Sequence, residues 1–312
     1  MTSLRSYKGR FAPSPTGPLH FGSLVAAVGG YLEARCNKGE WLLRIEDLDT
    51  PRTVAGAADS ILRTLEACGM QWDGPVPYQS TRNAAYQAAL DQLSKAGAVY
   101  GCACTRREIA DSGIHGIDGP VYPGTCRNGI SSNRVPRATR VRTQGVRISF
   151  TDAIQGEITQ DVENEIGDFV LARADGFFAY QLAVVIDDHA QGITHIVRGA
   201  DLLDSTPRQL WLQQCMGLPT PAYAHLPVAV NARGEKLSKQ THATAVDAGK
   251  PAPLLVAALR FLGQPAPAEL AAASVATIWQ WALAHWRRDN VPRQRVASVD
   301  VQVFSRFSIK GA

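Results

Sequence analysis

The sequence predicts an α/β fold, a parallel sheet wound on both faces by helices. Three observations carry that prediction. Strand-length apolar runs alternate with helix-length amphipathic segments, the rhythm of βαβ units. The run Trp41-Leu42-Leu43-Arg44-Ile45 is apolar enough to be buried on both faces, as parallel strands are. Between the first strand and the first helix lies a rigid Gly/Pro loop, Arg10-Phe-Ala-Pro-Ser-Pro-Thr-Gly-Pro-Leu-His-Phe-Gly-Ser23. In a doubly wound sheet of this Rossmann type, ligands bind beyond the carboxyl ends of the strands.

Residues 7–11 read as the first strand. Pro13 and Pro15 stiffen the loop after it, Gly17 and Pro18 turn it, and His20 and Gly22 sit where a helix should start. Leu24 to Val28 and Leu32 supply that helix with its apolar side. Its unpaired first N–H groups and its dipole favour an anion, although an ordinary βα turn is the other reading. The second strand ends in Glu46-Asp47-Leu48-Asp49-Thr50-Pro51, where Asp49 or Thr50 should cap the next helix. Ala58, Ile61, Leu62 and Leu65 form its face, and Cys68-Gly69 stops it. A further helix runs over 82–95 and closes at Gly97. His20 and Glu46 are thus expected to face one crevice.

Residues 101–135, rich in Gly, Cys, Pro, Arg and Asn, break the rhythm and read as an insertion. Val146, Ile148 and Phe150 alternate with polar residues, so 146–162 is a half-exposed strand or hairpin. From Phe169 the α/β pattern resumes. Tyr180–Ile186 is expected as a buried strand ending in Asp187-Asp188-His189, and 193–197 as another ending in Arg198-Gly199-Ala200-Asp201. A helix with Leu210, Trp211 and Cys215 follows. Beyond Ala245 the texture turns helical, and Val275, Ile278, Trp279, Ala282, Leu283 and Trp286 make a core-packing stripe. From Val291 the signal fades. The expected organisation is a catalytic domain over 1–245, interrupted by the insertion over 101–168, then a small helical domain over 246–312.

At 312 residues the chain is long enough for one large domain or two modest ones. Its 45% hydrophobic and 19% charged residues are those of a globular protein. No apolar run approaches the roughly 20 residues of a membrane span and no signal peptide opens the chain, so the expectation is a cytoplasmic protein without membrane contact. Six cysteines in a reducing compartment do not make a disulfide scaffold; Cys36, Cys68 and Cys215 sit among apolar residues and are expected to be buried. The net charge of +4 excludes little. Its distribution says more: Arg127 to Arg147 holds six arginines and no acid, and Arg287, Arg288, Arg293 and Arg295 crowd the C-terminal end. Such stretches can track phosphates, or simply be solvated surface.

Chemistry enters with Lys236-Leu237-Ser238-Lys239-Gln240, after His225-Leu226-Pro227-Val228. Two lysines three apart can reach a polyphosphate as mobile point charges, though alone the motif reads as a surface loop. Together with Gly17-Pro-Leu-His20-Phe-Gly22 it resembles the His-Ile-Gly-His and Lys-Met-Ser-Lys-Ser signatures of the class I aminoacyl-tRNA synthetases. Phe21, Ser23, Leu237 and Gln240 are the departures. Ser23 stands where a second histidine is usual, which the glutamyl branch tolerates. Arg10-Phe-Ala-Pro-Ser-Pro-Thr-Gly and Arg44-Ile-Glu-Asp-Leu-Asp resemble the glutamyl and glutaminyl members.

That resemblance implies ATP held by Pro13, Gly17, His20, Gly22, Ser23, Lys236, Ser238 and Lys239. His20, Lys236 and Lys239 would be the catalytic set, with Mg2+ bridging phosphate oxygens. It also implies L-glutamate held by Arg10 and Arg198 at its carboxylates and by Glu46 at its ammonium, with Ser14 and Tyr180 completing the pocket. For Arg198 the alternative is a structural ion pair with Asp201. By resemblance, Asp187-Asp188-His189 is a strand-end structural motif near the tRNA terminus rather than a catalytic cluster.

Cys102-Ala-Cys104 and Cys126 offer three thiolates to one structural zinc. For the fourth ligand, spacing alone favours His115, imidazole being the commoner partner. Tyr122 is favoured by resemblance, because Tyr-x3-Cys after Cys-x-Cys is similar to the zinc insert of a truncated synthetase family. Three free thiols are the remaining alternative.

Only 72 residues follow Gln240, too few for the anticodon-binding region of a full glutamyl-tRNA synthetase. With this insert, residues 7–290 resemble the glutamyl-Q tRNA(Asp) synthetases. The resemblance implies activation of glutamate by ATP without tRNA, then its transfer to the cyclopentenediol of queuosine at the wobble position of tRNA(Asp). Without an anticodon domain the catalytic face itself is expected to accept the anticodon loop, through Arg127–Arg147, and the protein is expected to be a monomer. A truncated glutamyl-tRNA synthetase charging a tRNA 3′ end and a non-catalytic tRNA-binding paralogue are the alternatives; intact His20, Glu46, Lys236 and Lys239 oppose the second.

Overall fold

The computed structural model describes residues 6–117, 119–231, 233–237 and 246–299. In chain order its first half holds β1 (Lys8–Phe11), α1 (Phe21–Cys36), β2 (Glu40–Leu43), α2 (Ala57–Ala67), α3 (Asn83–Lys95), β3 (Val99–Cys102), α4 (Arg106–Ala110), β4 (His115–Gly116), β5 (Gly119–Pro120) and β6 (Ala138–Val141). Then come β7 (Arg147–Asp152), β8 (Gly156–Asp161), α5 (Val162–Glu165), β9 (Val170–Arg173), α6 (Tyr180–Ala190), β10 (His195–Gly199) and α7 (Thr206–Met216). The last are β11 (Ala222–Leu226), β12 (Val228–Val230), α8 (Pro251–Phe261), α9 (Val275–His285) and β13 (Val296–Ser298).

β1 pairs in parallel with β2, β10 with β11 and β11 with β7, and β8 adds an antiparallel edge. The two groups meet at β1 and β10, where the Thr194 N–H donates to the Lys8 carbonyl and the Lys8 N–H to the Thr194 hydroxyl. Strand side chains alternate between two apolar clusters. Trp41, Leu43, Val197 and Ala224 pack with residues of α1, α8 and α9, whereas Leu42, Ile196 and Tyr223 pack with residues of α3, α6 and α7. Helices therefore cover both faces of the sheet, which explains why its strands read as near-continuous apolar runs.

Between α3 and α6 the chain leaves this sheet. β3, β6 and β9 form a separate antiparallel sheet, while the β7–β8 hairpin, expected from its alternation, rejoins the parallel strands where Asp152 pairs with Tyr223. α8 and α9 share one core with α1, and Trp286 Nε1 donates to buried Glu33 at 2.7 Å. After Val291, where the sequence carries little signal, β13 pairs with β12.

Three expectations are corrected. Tyr180–Ile186 is not a strand but the opening of α6. A short, uniformly apolar run has no period that separates strand from helix, and β-branched Val184, Val185 and Ile186 favour the strand. α6 buries Gln181 to Val185 and also Asp187 and Asp188, so no amphipathic stripe survives to reveal it. The helix after Pro51 starts later than expected: Thr50–Arg52 is only a 3-10 turn, and left-handed Gly56 (φ 74°) leads into α2. Cys36, the last residue of α1, is exposed, and Cys215 is half-buried; Cys68 alone of these three is buried.

Candidate active site

The loop after β1 is pinned from two sides. The Glu46 N–H donates to the Pro13 carbonyl (3.0 Å) and the Val54 N–H to the Pro15 carbonyl (2.9 Å). Gly17, at φ 138°, turns the chain toward α1. His20 is the N-cap of α1: Nδ1 accepts the Ser23 N–H (3.2 Å), and Nε2 lies 3.0 Å from Ser23 Oγ. With Nδ1 accepting, the ring proton sits on Nε2 and points at Ser23. The serine at the second-histidine position thus holds the first histidine. Under the ring, a Cβ on Gly22 would come within 3.2 Å of His20 and 3.4 Å of the Leu237 carbonyl, so the lysine loop begins directly over the helix N-terminus.

These residues border a cavity of about 600 Å³ at the carboxyl ends of β1 and β10. Arg10, Pro13, Ser14, His20, Gly22, Ser23, Glu46, Tyr180, Arg198 and Lys236 all line it, and Gly17 does not. Ser238, Lys239 and Gln240 lie outside the described residues. The floor of the cavity rests on buried charges, Arg10 and Glu46 lining it and Arg44 and Asp188 lying behind them. Arg10 donates to both oxygens of Asp188 (3.1 and 3.3 Å), and Arg44 donates to Asp188 (2.8 Å) and Glu46 (3.0 Å). All four side chains are buried. Burial alone would raise Asp188, yet Arg10 and Arg44 hold its carboxyl below the ordinary 3.8. For Glu46 burial wins over the pull of Arg44 and Arg10, and its pKa rises above 4.5.

Arg44 and Asp188 both fall in motifs the sequence shows, but neither was expected to hold the charges of this site. A lone cation inside the apolar run 41–45 was the available signal for Arg44. Asp188, expected as part of a strand-end motif, anchors Arg10 from α6 instead.

Arg198 is arranged differently, and the alternative pairing with Asp201 is absent among the described residues. Its guanidinium donates to His225 Nε2 (3.0 Å), Thr206 Oγ1 (2.9 Å), the Leu202 carbonyl (3.3 Å) and the Tyr180 hydroxyl (3.4 Å). Asp201 instead takes Lys236 Nζ at 2.5 Å on the cavity rim.

Away from the cavity, the sulfurs of Cys102, Cys104 and Cys126 all lie within 4.8 Å of one another. The Tyr122 hydroxyl accepts the Cys126 N–H at 2.8 Å and lies 3.8 Å from Cys104 Sγ. Exposed His115 contacts the Gly113 carbonyl and is not part of the cluster, which leaves Tyr122 as the oxygen beside the thiols. Burial, against the pull of the Tyr122 hydroxyl and with the neighbouring thiols, pushes the Cys104 thiol up to about 11. Three thiols, two buried and one half-buried, with a phenol oxygen beside them, are a donor set that fits a structural zinc.

The arginine stretch is largely turned inward. Arg127 pairs with Glu163 and buried Asp168, Arg140 lies 4.0 Å over the Tyr122 ring, and Arg142 lies over the Tyr100 ring. Arg134 pairs with Glu108, which leaves Arg137 and Arg147 as its exposed members. Among the described residues no helix is long and apolar enough to cross a membrane.

Comparison with known proteins decides the family. A model described as "tRNA synthetases class I (E and Q), catalytic domain" matches residues 7–272. A protein of Dechloromonas aromatica named glutamyl-Q tRNA(Asp) synthetase is 62% identical over 290 residues, covering 92% of this chain and 96% of its own. The chain belongs to the glutamyl-Q tRNA(Asp) synthetase family. A relative of the same name from Aromatoleum aromaticum is 60% identical over 288 residues, covering 92% of this chain and 91% of its own. Among solved structures the chain is similar to a glutamate tRNA ligase from Elizabethkingia meningosepticum in complex with its amino acid, with a TM-score of 0.78, 25% identity and coverage of 97% of this chain and 69% of that one. The α/β fold is that of the class I tRNA synthetases, and the chain is a ligase of that class.

Proposed function

We propose that this protein activates L-glutamate with ATP, without tRNA, and transfers the glutamyl group to the cyclopentenediol of queuosine at the wobble position of tRNA(Asp). One observation carries the reading to the substrate. Two guanidiniums and one carboxylate, Arg10, Arg198 and Glu46, border a single cavity beside a helix N-terminus in a member of this family. Glutamate brings two carboxylates and one ammonium, the complementary set.

In this reading Arg10 and Arg198 bind the carboxylates, Glu46 the ammonium, and Ser14 and Tyr180 complete the pocket. ATP lies along Pro13, Gly22 and Ser23, with His20, Lys236, Ser238 and Lys239 at its phosphates, while Gly17, set back from the cavity, turns the loop that carries them. Mg2+ bound with ATP supplies neutralisation of phosphate oxygens. The glutamate α-carboxylate oxygen bonds to the α-phosphorus as the bond to pyrophosphate breaks, and the two lysines stabilise the charge that gathers there. A diol hydroxyl then attacks the activated carbonyl, loses its proton, and AMP leaves. No protein nucleophile takes part, so positioning and charge stabilisation carry the rate.

The chain is read as a doubly wound catalytic domain over 1–245 with a zinc-binding insertion over 101–168 and a small helical region over 246–312. One structural zinc is assigned to Cys102, Cys104, Tyr122 and Cys126, supported by the spacing of their donor atoms. The protein acts as a monomer in the cytoplasm on the anticodon loop, with Arg137 and Arg147 as its cations for that loop.

The test offers labelled glutamate and ATP to tRNA(Asp) with and without queuosine, and to tRNA(Glu). Label is expected on queuosine-containing tRNA(Asp) alone, at the anticodon. Label on a 3′ terminus or on tRNA(Glu) would favour the truncated charging enzyme, and absence of glutamate-dependent ATP–pyrophosphate exchange would favour the tRNA-binding paralogue.

A further inference from the structure

Behind the cavity lies a buried carboxylate–imidazole pair that the reaction above does not use. Asp152 ends β7, and His225 on β11 stands beside Arg198 in the parallel register. Both side chains are fully buried, with His225 Nδ1 2.6 Å from Asp152 Oδ2. Asp152 Oδ1 accepts the backbone N–H groups of Ile154 (3.0 Å), Gln155 (2.9 Å) and His225 (3.1 Å). The other ring nitrogen, Nε2, accepts from Arg198 Nε at 3.0 Å and lies 3.2 Å from the Thr206 hydroxyl, which can donate to it as well. A guanidinium only donates, so Nε2 carries no proton; the proton is on Nδ1 and is donated to Asp152. Two neighbours thus fix the tautomer. Burial pushes the imidazole down to about 4 against the pull of Asp152, so the ring is neutral in neutral solution.

We propose that Asp152 and His225 are a positioning pair that orients Arg198 through a neutral ring, leaving its charge free for the carboxylate of the amino acid. The proposal rests on the reading of the cavity as a glutamate site. Arg10 already shares its charge with Asp188. Arg198, by contrast, makes no ion pair among the described residues: its partners are an imidazole, two hydroxyls and a carbonyl. A carboxylate in direct contact would have oriented the guanidinium and cancelled its charge together. An interposed imidazole passes on the orientation and keeps the carboxylate one ring further away, so an incoming anion meets more of the Arg198 charge.

The distinguishing variant is Asp152→Asn. Its Oδ1 keeps the three backbone bonds, but its amide NH2 faces Nδ1, drives the ring to the other tautomer and turns an N–H against Arg198. His225→Leu deletes the acceptor. His225→Gln restores the polarity, with its NH2 toward Asp152 and its carbonyl toward Arg198. In ATP–pyrophosphate exchange, Asp152→Asn and His225→Leu are expected to raise the glutamate KM at least tenfold with the ATP KM within twofold, and His225→Gln to stay within threefold of wild type. Long-range ¹⁵N–¹H spectra of the imidazole should find the proton on Nδ1 in the wild type and on Nε2 in Asp152→Asn. An unchanged glutamate KM in folded Asp152→Asn, equal loss in the two His225 variants, or glutamate and ATP KM rising together would overturn the proposal. If Asp152→Asn does not fold, the His225 pair decides. Absence of glutamate-dependent exchange in the wild type would sink the functional reading, while the tautomer spectra would still test the pair.

Discussion

The cavity floor and the thiol cluster gather reactive side chains in opposite ways. On the floor every buried charge has a partner from the chain itself: Asp188 takes Arg10 and Arg44, and Arg44 reaches Glu46. In the insertion three thiols and a phenol crowd together, and burial keeps the Cys104 thiol protonated. Folding alone therefore shapes the first site for a charged substrate. The second would bind an ion only as its thiols lose their protons, because metal binding and ligand deprotonation are one equilibrium. The two sites are therefore expected to be separable, the first serving the chemistry and the second the shape of the insertion.

The largest effects test the first half of that contrast. Lys239→Ala is expected to lower glutamate-dependent ATP–pyrophosphate exchange by more than about 100-fold, the range for removing one preorganised charge-stabilising group, with the thermal midpoint unchanged. Full exchange in that variant would take Lys239 out of its role. Next comes Asp188→Ala, which strands Arg10 and Arg44 without their shared carboxylate. Breaking a buried pair in this way costs about 3–5 kcal/mol, read from urea unfolding. A stability within error of wild type would mean the floor is not held by its own charges.

The same contrast marks what was legible in the sequence. The loop from Arg10 to Ser23 is legible because proline, glycine and capping chemistry are local, and Glu46 because it ends a recognisable strand. Arg44 with Asp188 and Asp152 with His225 are not, since their partners lie 144 and 73 residues apart along the chain. Nor does charge counting tell a surface arginine from a buried one: Arg127 and Asp168 are 41 residues apart, so the basic stretch reads as acid-free although its first member is paired. α6 hid because it is buried nearly all round.

Two middle-sized effects concern the insertion. Purified protein is expected to carry about one zinc per chain. Cys126→Ser should lose most of it and speed amide exchange in β3, β6 and β9, while the tRNA-independent exchange of pyrophosphate stays within about threefold. Full zinc retention would refute the ligand set, and loss of pyrophosphate exchange would refute separability. Acid unfolding gives a smaller signal. Asp168, in the insertion, is raised by burial but held below the ordinary 3.8 by Arg127, Tyr100 and Thr143, as Asp188 is by its arginines. A depressed folded pKa means stability that is complete above the unfolded value and is lost as pH falls through the folded one. Urea midpoints should therefore drop below pH 3.8, and more shallowly in Asp168→Asn. A slope equal to wild type would leave Asp168 without an electrostatic role.

The smallest effect concerns the arginines themselves. Arg137 and Arg147 are exposed, whereas Arg127 and Arg140 are held inside the insertion. An exposed cation that meets a phosphate of single-stranded RNA releases a counterion, contributing about 0.7 to the slope of log affinity against log salt. Arg137→Ala should thus weaken tRNA binding a few-fold at low salt, reduce that slope by about 0.7 and leave pyrophosphate exchange untouched. Arg140→Ala should act otherwise, because it removes the cation 4.0 Å over the Tyr122 ring. Its effect belongs in zinc content and insertion stability, with the salt slope unchanged. If the slope ignores Arg137 and Arg147 but falls in Arg287→Ala or Arg293→Ala, the tRNA is met by the C-terminal end, and the insertion's arginines serve only to hold it together.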